Sequence, residues 1–320
     1  MKKPRISVII PAHNEEAEIK KTLDCVLKQN FKSMEIIVSN DGSTDKTEEI
    51  AKEYIRRDKR IKIISSKTGH SGAYARNKGA GIANGEILVF LDADARTSDN
   101  FLERVDKNFK NHKIQGIIHP KRDTYNNFLS KTIALMASNN RKIARNIGAK
   151  IISKRNVFSL FIFTKKAFEK IGGYDDKILY YDDRDITERF FKNKFKAYLD
   201  PSILLYSAQP EDLDEFFRRY KWSGEGIAAM PRGKVKLGEI IHLSKKIVII
   251  LGPFILLPFT KIIGTALILV SIIATYLFNL RTSKDFLWSF LMIPTTYAKN
   301  IIEFSSMMWY SLFPRKNTRD

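Results

Sequence analysis

Glu86-Ile87-Leu88-Val89-Phe90-Leu91 runs directly into Asp92-Ala93-Asp94. Five consecutive apolar residues capped by a pair of carboxylates predict a strand buried on both faces that ends where the chain turns polar. Similar runs recur upstream at Arg5 to Ile10, Glu35 to Ser39 and Ile61 to Ser65. Between them the apolar spacing changes to that of a helix. Ile19, Leu23, Val26 and Leu27 share one face, Ile50, Ala51 and Tyr54 point inward from Thr47 to Ile55, and Gly72 to Ala83 is a helix of small residues. This βαβαβαβ rhythm predicts an α/β fold with a doubly wound, mostly parallel sheet and helices on both faces. Such sheets bind ligands beyond the carboxyl ends of their strands. Pro11-Ala12-His13-Asn14-Glu15, Asn40-Asp41-Gly42-Ser43-Thr44-Asp45 and Asp92-Ala93-Asp94 each follow one of the strands.

The 320 residues carry a formal net charge of +20, with 28% charged and 44% hydrophobic residues. So basic a chain invites a nucleic-acid reading. No helix-turn-helix, zinc-finger or RNA-binding signature accompanies the charge, and nucleic acid is not expected as a partner. Basic residues beside apolar segments also suit an anionic membrane surface. The single cysteine, Cys25, excludes an internal disulfide and reads as a small core residue.

The loop Asn40 to Asp45 reads locally as a turn, with Ser43 or Thr44 as helix cap, while Asp41 offers a carboxylate to a nucleobase or ribose. Asp92 and Asp94, two residues apart, repel each other unless a cation offsets their charge, and hard ions such as Mg²⁺ or Mn²⁺ prefer such oxygens. A second acidic cluster, Tyr181-Asp182-Asp183-Arg184-Asp185, follows Gly172-Gly173-Tyr174-Asp175-Asp176. One of its carboxylates is a candidate general base; the same residues equally suit the acidic start of a helix over Ile186 to Phe195.

Taken in order, Ser7 to Glu15, Asn40 to Asp45, Ala75-Arg76-Asn77-Lys78-Gly79, Phe90 to Asp94, and Gly172-Gly173-Tyr174-Asp175 with Asp182-Asp183 resemble family 2 glycosyltransferases of the GT-A fold, over about Arg5 to Gly226. The resemblance implies that Pro11, Ala12, Asn14 and Glu15 line a nucleotide pocket, with Ala93 also on the nucleotide-sugar side. It implies further that Asp41 contacts the base and Arg76 the ribose-diphosphate. Asp92 and Asp94 match the family's metal motif, Asp94 as the more direct ligand. Asp183 matches the catalytic base, and Asp182 stands where the family usually has glutamate. Arg218-Arg219-Tyr220-Lys221-Trp222 is imperfectly similar to a segment of processive members, which puts Arg219 and Trp222 on the acceptor side with Asp182. No histidine stands near Leu205-Tyr206-Ser207, so the third protein ligand of the metal stays unassigned.

The tail changes character. Ile262 to Leu280 is uncharged and nineteen residues long, enough to nearly span a hydrocarbon core of about 30 Å. Ile247 to Thr260, with Pro253 and Pro258, reads as a kinked or re-entrant arm, and Phe286 to Phe313, interrupted by Lys299 and Glu303, as an interfacial helix. The expected organisation is a GT-A domain over 1-230, divided into a nucleotide-binding half at 1-115 and an acceptor half at 116-230. A membrane-anchoring region at 231-320 follows, with about two transmembrane or re-entrant helices. Ile6 to Ile10 is too short for a signal-peptide core, and Lys245, Lys246, Arg281 and Lys284 flank the apolar stretches, so the head is expected on the cytoplasmic side of the cell membrane.

The sequence therefore points to inverting, metal-dependent transfer of a sugar of the hexosyl type in cell-envelope glycan synthesis. The donor is a nucleotide-sugar, a UDP-sugar ahead of a GDP-sugar, and the acceptor a hydroxyl on a lipid-linked molecule or glycan. A nucleotidyltransferase or nucleotide-binding regulator on the same sheet is the alternative from another class, and a catalytically silent membrane scaffold is a third.

Overall fold

The computed structural model describes residues 3-119, 121-135, 148-153, 160-178, 180-229, 261-283 and 286-312. Strand β1 (Ile6–Ala12) lies between β2 (Met34–Asp41) and β4 (Ile87–Phe90), parallel to both, and β3 (Ile61–Ser66) extends the sheet beyond β2. After β5 (Ala95–Thr97) and β6 (Gly116–Ile118) come β7 (Lys121–Thr124), β8 (Lys150–Ile152), β9 (Ile162–Thr164), β10 (Ala197–Leu199) and β11 (Leu205–Ala208). The main sheet has eight strands in the order β3-β2-β1-β4-β9-β6-β10-β8. Strand β9 runs antiparallel to both β4 and β6, and β8 is an antiparallel edge. The α/β, mostly parallel sheet expected from the sequence is present.

Alternation along the central strands supplies both faces. Ile6, Val8, Ile10, Ile36, Val38, Ile87 and Val89 pack on one side, against α1 (Ile19–Leu27), α2 (Thr47–Arg57) and, beyond them, α4 (Phe101–Asn111). Ile9, Ile37, Leu88 and Phe90 pack on the other, against α3 (Gly72–Ile82) and the helices Lys165–Lys170 and Asp182–Lys192. The continuous apolar runs thus reflect period-two partition between two cores, each large side chain contributing about 1.5-3 kcal/mol. Helix α3 lies directly on the sheet because Gly79 has no side chain: a Cβ there would sit 2.5 Å from Ile9 Cγ2.

Helix starts differ from expectation in one respect. Neither Ser43 nor Thr44 caps α2, whose N-cap is Lys46 without a side-chain bond. Asp45 Oδ1 accepts instead from Thr47 N at 3.0 Å, while Ser43 Oγ accepts from Asn14 N. Ser43 and Thr44 are thus used to tie the loop to Asn14 after β1, while Asp45 serves the start of the helix. Side-chain caps form at Ser71 of α3, accepting from Tyr74 N at 3.1 Å, and at Thr164 of the helix Lys165–Lys170, accepting from Ala167 N at 3.3 Å.

Chain contacts divide the protein into two compact units, the first drawn mainly from Met1–Arg122 and Arg141–Ser207 and the second from Asp123–Asn140 and Ala208–Asn317. The first holds the sheet. In the second, the helices Leu213–Ala229 and Ile293–Leu312 meet backbone to backbone at Gly224, where a side chain would strike Glu303. Helix Lys261–Ser283 covers the expected Ile262 to Leu280, but the two transmembrane helices expected for the tail are not found. Among the described residues no helix is long and apolar enough to cross a membrane. Ser271 and Asn279 are buried in helix Lys261–Ser283, and Asn300 and Glu303 in Ile293–Leu312. The arm expected over Ile247 to Thr260 lies outside the described residues.

Candidate active site

The carboxyl ends of β1, β2 and β4 meet above the sheet, and the loops there are fixed by their own side chains. Asn14 has a left-handed φ of 57°, and its Oδ1 accepts from Thr44 N at 2.8 Å. Glu15 N donates to Thr47 Oγ1 at 2.7 Å. Gly42, with φ 68°, passes so close to Thr68 that no side chain fits. Pro11 and Ala12 form the end of β1, with Ala12 buried. Ala93 is also buried, and its carbonyl accepts from the Thr22 hydroxyl of α1.

Asp41 ends β2 and is almost fully buried. Its Oδ2 accepts from His70 N at 2.7 Å, and its Oδ1 lies 3.0 Å from His70 Nδ1, which carries a proton toward it. The His70 ring stacks on Tyr74 with centroids 4.0 Å apart, and His13 Nδ1 lies 2.7 Å from the Asp41 carbonyl oxygen. Asp41, the residue expected to contact a base, is thus grouped with His13, His70 and Tyr74. The sequence reading missed the two histidines and Tyr74. Their one signal was position, since His70 stands in the loop after β3 at the same end of the sheet.

Arg76 projects from α3 between two carboxylates. Its Nη1 donates to Asp182 Oδ2 at 2.7 Å and its Nη2 to Asp92 Oδ1 at 3.0 Å, joining groups 106 and 16 residues away. Burial works against the guanidinium charge, but Asp182 and Asp92 outweigh it and raise the Arg76 pKa. Burial also raises the Asp182 carboxyl, with Asp183 and Asp92 adding to the effect against Arg76. Tyr174 packs its ring under the guanidinium, 5.4 Å from centroid to Cζ. A two-point clamp sets it there: Tyr174 N donates to Asn77 Oδ1 at 2.9 Å, and Asn77 Nδ2 to Tyr174 O at 2.8 Å. Gly173 permits the clamp, having a φ of 67° and no room for a Cβ beside Asn77 Oδ1. The Arg76 Nε and Tyr174 hydroxyl are buried without a hydrogen-bond partner among the described residues.

Asp182, Asp183 and Asp185 open the helix Asp182–Lys192, directly after Tyr181 at a left-handed φ of 57°. Asp183 Oδ1 accepts from Arg184 N at 2.9 Å. The acidic helix start and the acidic cluster beside Arg76 are thus the same residues. Arg219 and Trp222 belong to the second unit, on the helix Leu213–Ala229. There Arg219 Nη1 donates to Gln209 Oε1 at 3.1 Å, and Trp222 is half exposed.

Negative charge accumulates around Asp92 and Asp94. Glu15 is pushed up to about 7, first by burial and then by Asp94 and Asp92. Among the described residues no three His, Cys, Asp or Glu side chains stand close enough to hold a metal by themselves. Two carboxylates nevertheless fit a Mg²⁺-type ion, which is ordinarily held by one or two carboxylates with substrate phosphate and water completing its shell. Strand β11 pairs antiparallel with β5, setting Ser207 opposite Ala95 beside the acidic motif.

The glycosyl transferase family 2 profile matches residues 7–172, just over half of the chain. This chain belongs to that family. It is 28% identical over 240 residues to the probable glycosyltransferase YdaM of Bacillus subtilis, covering 69% of this chain and 54% of YdaM. It is 25% identical over 328 residues to the poly-beta-1,6-N-acetyl-D-glucosamine synthase of Staphylococcus epidermidis, covering 95% of this chain and 79% of that one. In fold it is similar to the mannosyltransferase PcManGT from Pyrobaculum calidifontis, solved with GDP-Man and Mn²⁺, at a TM-score of 0.57 and 17% identity, over 99% of this chain and 89% of that one. The chain spans about half the length of YdaM and less of several other curated relatives it matches.

Proposed function

We propose that this glycosyltransferase moves a sugar, with inversion, from a UDP- or GDP-sugar to a hydroxyl of a lipid-linked or glycan acceptor in cell-envelope synthesis. The observation that carries the reading is the meeting of the Asp41 cluster, Arg76, Asp92 and the Asp182–Asp183 helix start at one end of a single sheet. In this reading residues 1-115 hold the donor and 116-230 the acceptor. Asp41, held by His70, accepts from the nucleobase, and Pro11, Ala12, Asn14, Glu15 and Ala93 shape the nucleotide pocket. Arg76 faces the diphosphate, with a divalent ion on Asp92 and Asp94 supplying the positive charge that offsets the leaving group. The Mn²⁺ and GDP-Man bound by the mannosyltransferase of similar fold support a metal and a nucleotide-sugar here.

Asp183 takes the proton of the acceptor hydroxyl as its oxygen bonds to the anomeric carbon. The bond from that carbon to the phosphate oxygen breaks, its electron pair leaves with the nucleoside diphosphate, and one displacement inverts the centre. Asp182, paired with Arg76, positions this corner, and Arg219 and Trp222 belong to the acceptor side.

Membrane association is part of the proposal, with the catalytic unit on the cytoplasmic face. Its support is the outward apolar surface of helix Lys261–Ser283, where Leu269, Val270, Ile273 and Leu277 are exposed. Such a surface suits insertion into the headgroup region without crossing.

The test is release of nucleoside diphosphate from a panel of UDP-, GDP- and dTDP-sugars with membrane lipid extract, with Mn²⁺ or with chelator. Turnover with one base class, lost with chelator and in Asp94→Ala, is expected. Equal turnover in chelator would overturn the metal assignment, and no release from any nucleotide-sugar would favour a nucleotide-binding regulator.

A further inference from the structure

The first unit has a second polar concavity at the opposite end of its sheet. Lys3, Lys32, Lys59, Arg60 and Lys62 line a cleft of about 670 Å³ whose floor includes Pro4 and Met34. Strands β1, β2 and β3 begin there, at Ile6, Met34 and Ile61. Since β1 runs seven residues from Ile6 to Ala12, the cleft and the candidate active site are separated by about 20 Å of strand.

The wall of this cleft is built and fixed. Glu35, nearly buried, accepts from Ser7 Oγ at 2.6 Å, Asn84 N at 2.6 Å and Lys62 Nζ at 2.7 Å. Gly85 N donates to the same Ser7 hydroxyl at 2.8 Å, in a fit so close that a Cβ on Gly85 would meet Ser7 N at 2.5 Å. Arg60 is similarly anchored, its Nη2 donating to Asp58 Oδ2 at 2.7 Å. Two of the five cations are thereby neutralised. Lys3, Lys32 and Lys59 form no ion pair among the described residues.

We propose that this cleft is a binding site for a phosphate-bearing anion, distinct from the nucleotide-sugar site. Three uncompensated ammonium groups around one small concavity match a group carrying two or more negative charges better than a single carboxylate. Lysine serves phosphate as a compact point charge, and a concave wall that is mainly positive, its one lining carboxylate Glu35 being paired with Lys62, concentrates anions. The apolar floor at Pro4 and Met34 accommodates the uncharged part of the ligand. The phosphate is either that of a soluble metabolite or that of a lipid headgroup.

The experiment uses the full chain with chelator present, which keeps a metal-dependent diphosphate site silent. Inorganic pyrophosphate is one arm, and vesicles of phosphatidylcholine with phosphatidic acid are the other. Protection of individual lysines from an amine-acylating reagent is read by mass spectrometry, with exposed Lys20 as the reference. Either probe should slow acylation of Lys3, Lys32 and Lys59 and leave Lys20 unchanged; the probe that does so identifies the phosphate source. Lys32→Gln with Lys59→Gln should weaken binding of that probe about tenfold or more, since hydrogen bonds to charged groups are individually worth that much. The Lys32→Arg, Lys59→Arg pair should retain binding, and nucleoside diphosphate release in Mn²⁺ should persist in both variants. Protection of Lys20 equal to that of the cleft lysines, protection by neither probe, or full binding by the glutamine variant would overturn the proposal.

Discussion

Replacing Arg76 with methionine removes the guanidinium that donates to both Asp182 and Asp92. The structure sets the size of the effect. Two charge-assisted bonds are lost, each ordinarily worth about 1.5-3 kcal/mol. The Asp182 side chain is 18% exposed, so its half counts at about 2 kcal/mol, whereas Asp92 is 32% exposed and solvent screening reduces its half to about 1 kcal/mol. The sum, about 3 kcal/mol, falls at the low end for breaking a buried pair by removing one partner. At about 2-4 °C per kcal/mol for a domain of this size, Arg76→Met should melt at least about 6 °C below the natural protein in chelator. A divalent ion on Asp92 and Asp94 would offset part of the uncovered charge, so Mn²⁺ should stabilise the variant more than the natural protein. Arg76→Lys should fall between the two, because an ammonium reaches one carboxylate but cannot span both. Thermal melts of the three proteins, with chelator and with Mn²⁺, make the comparison. A methionine variant melting within 1 °C of the natural protein, or gaining no more from Mn²⁺, would refute the reasoning.

Asp183→Asn should lower turnover by about 10²- to 10⁴-fold with the donor dissociation constant little changed, as expected of a lost general base. Asp182→Asn should cost less turnover but more stability, because it strips Arg76 of a partner; the reverse pattern would shift the base by one position. His70→Phe keeps the stacking on Tyr74 and the backbone bond to Asp41 but removes the ring's bond to its Oδ1, so the donor should bind about tenfold more weakly while maximal turnover holds. Equal affinity in titration would remove His70 from the base pocket. Burial opposes ionisation of Glu35, but bonds from Lys62, Ser7 and Asn84 outweigh it and lower its pKa. Its charged form therefore stabilises the fold at neutral pH. That contribution begins to fall as pH drops below the unfolded value of about 4.3 and disappears once pH passes the lowered folded value. Denaturant melts of Glu35→Gln and the natural protein should differ at pH 7 and converge at strongly acid pH.

Apolar runs and their spacing were enough to order the first four strands and three helices, because burial on both faces of a parallel strand demands uninterrupted branched residues. The loops that carry Asp41, Asp92 and Asp94 were legible for the same reason, since each begins where such a run stops. Tertiary structure alone decided what those loops contain. No spacing rule joins Arg76 to Asp182 across 106 residues, or sets the backbone of His70 against Asp41, because both contacts arise when separate loops converge above the sheet. Nor does the three-residue run Ile162–Thr164 announce that it enters antiparallel between β4 and β6, since direction is fixed by which edges remain to be hydrogen-bonded. In the tail, composition suggested lipid all round, yet Ser271 and Asn279 turn inward in the second unit's helix while Leu269 and Ile273 turn out. Composition reports how apolar a helix is; only packing assigns each residue to a partner or to solvent.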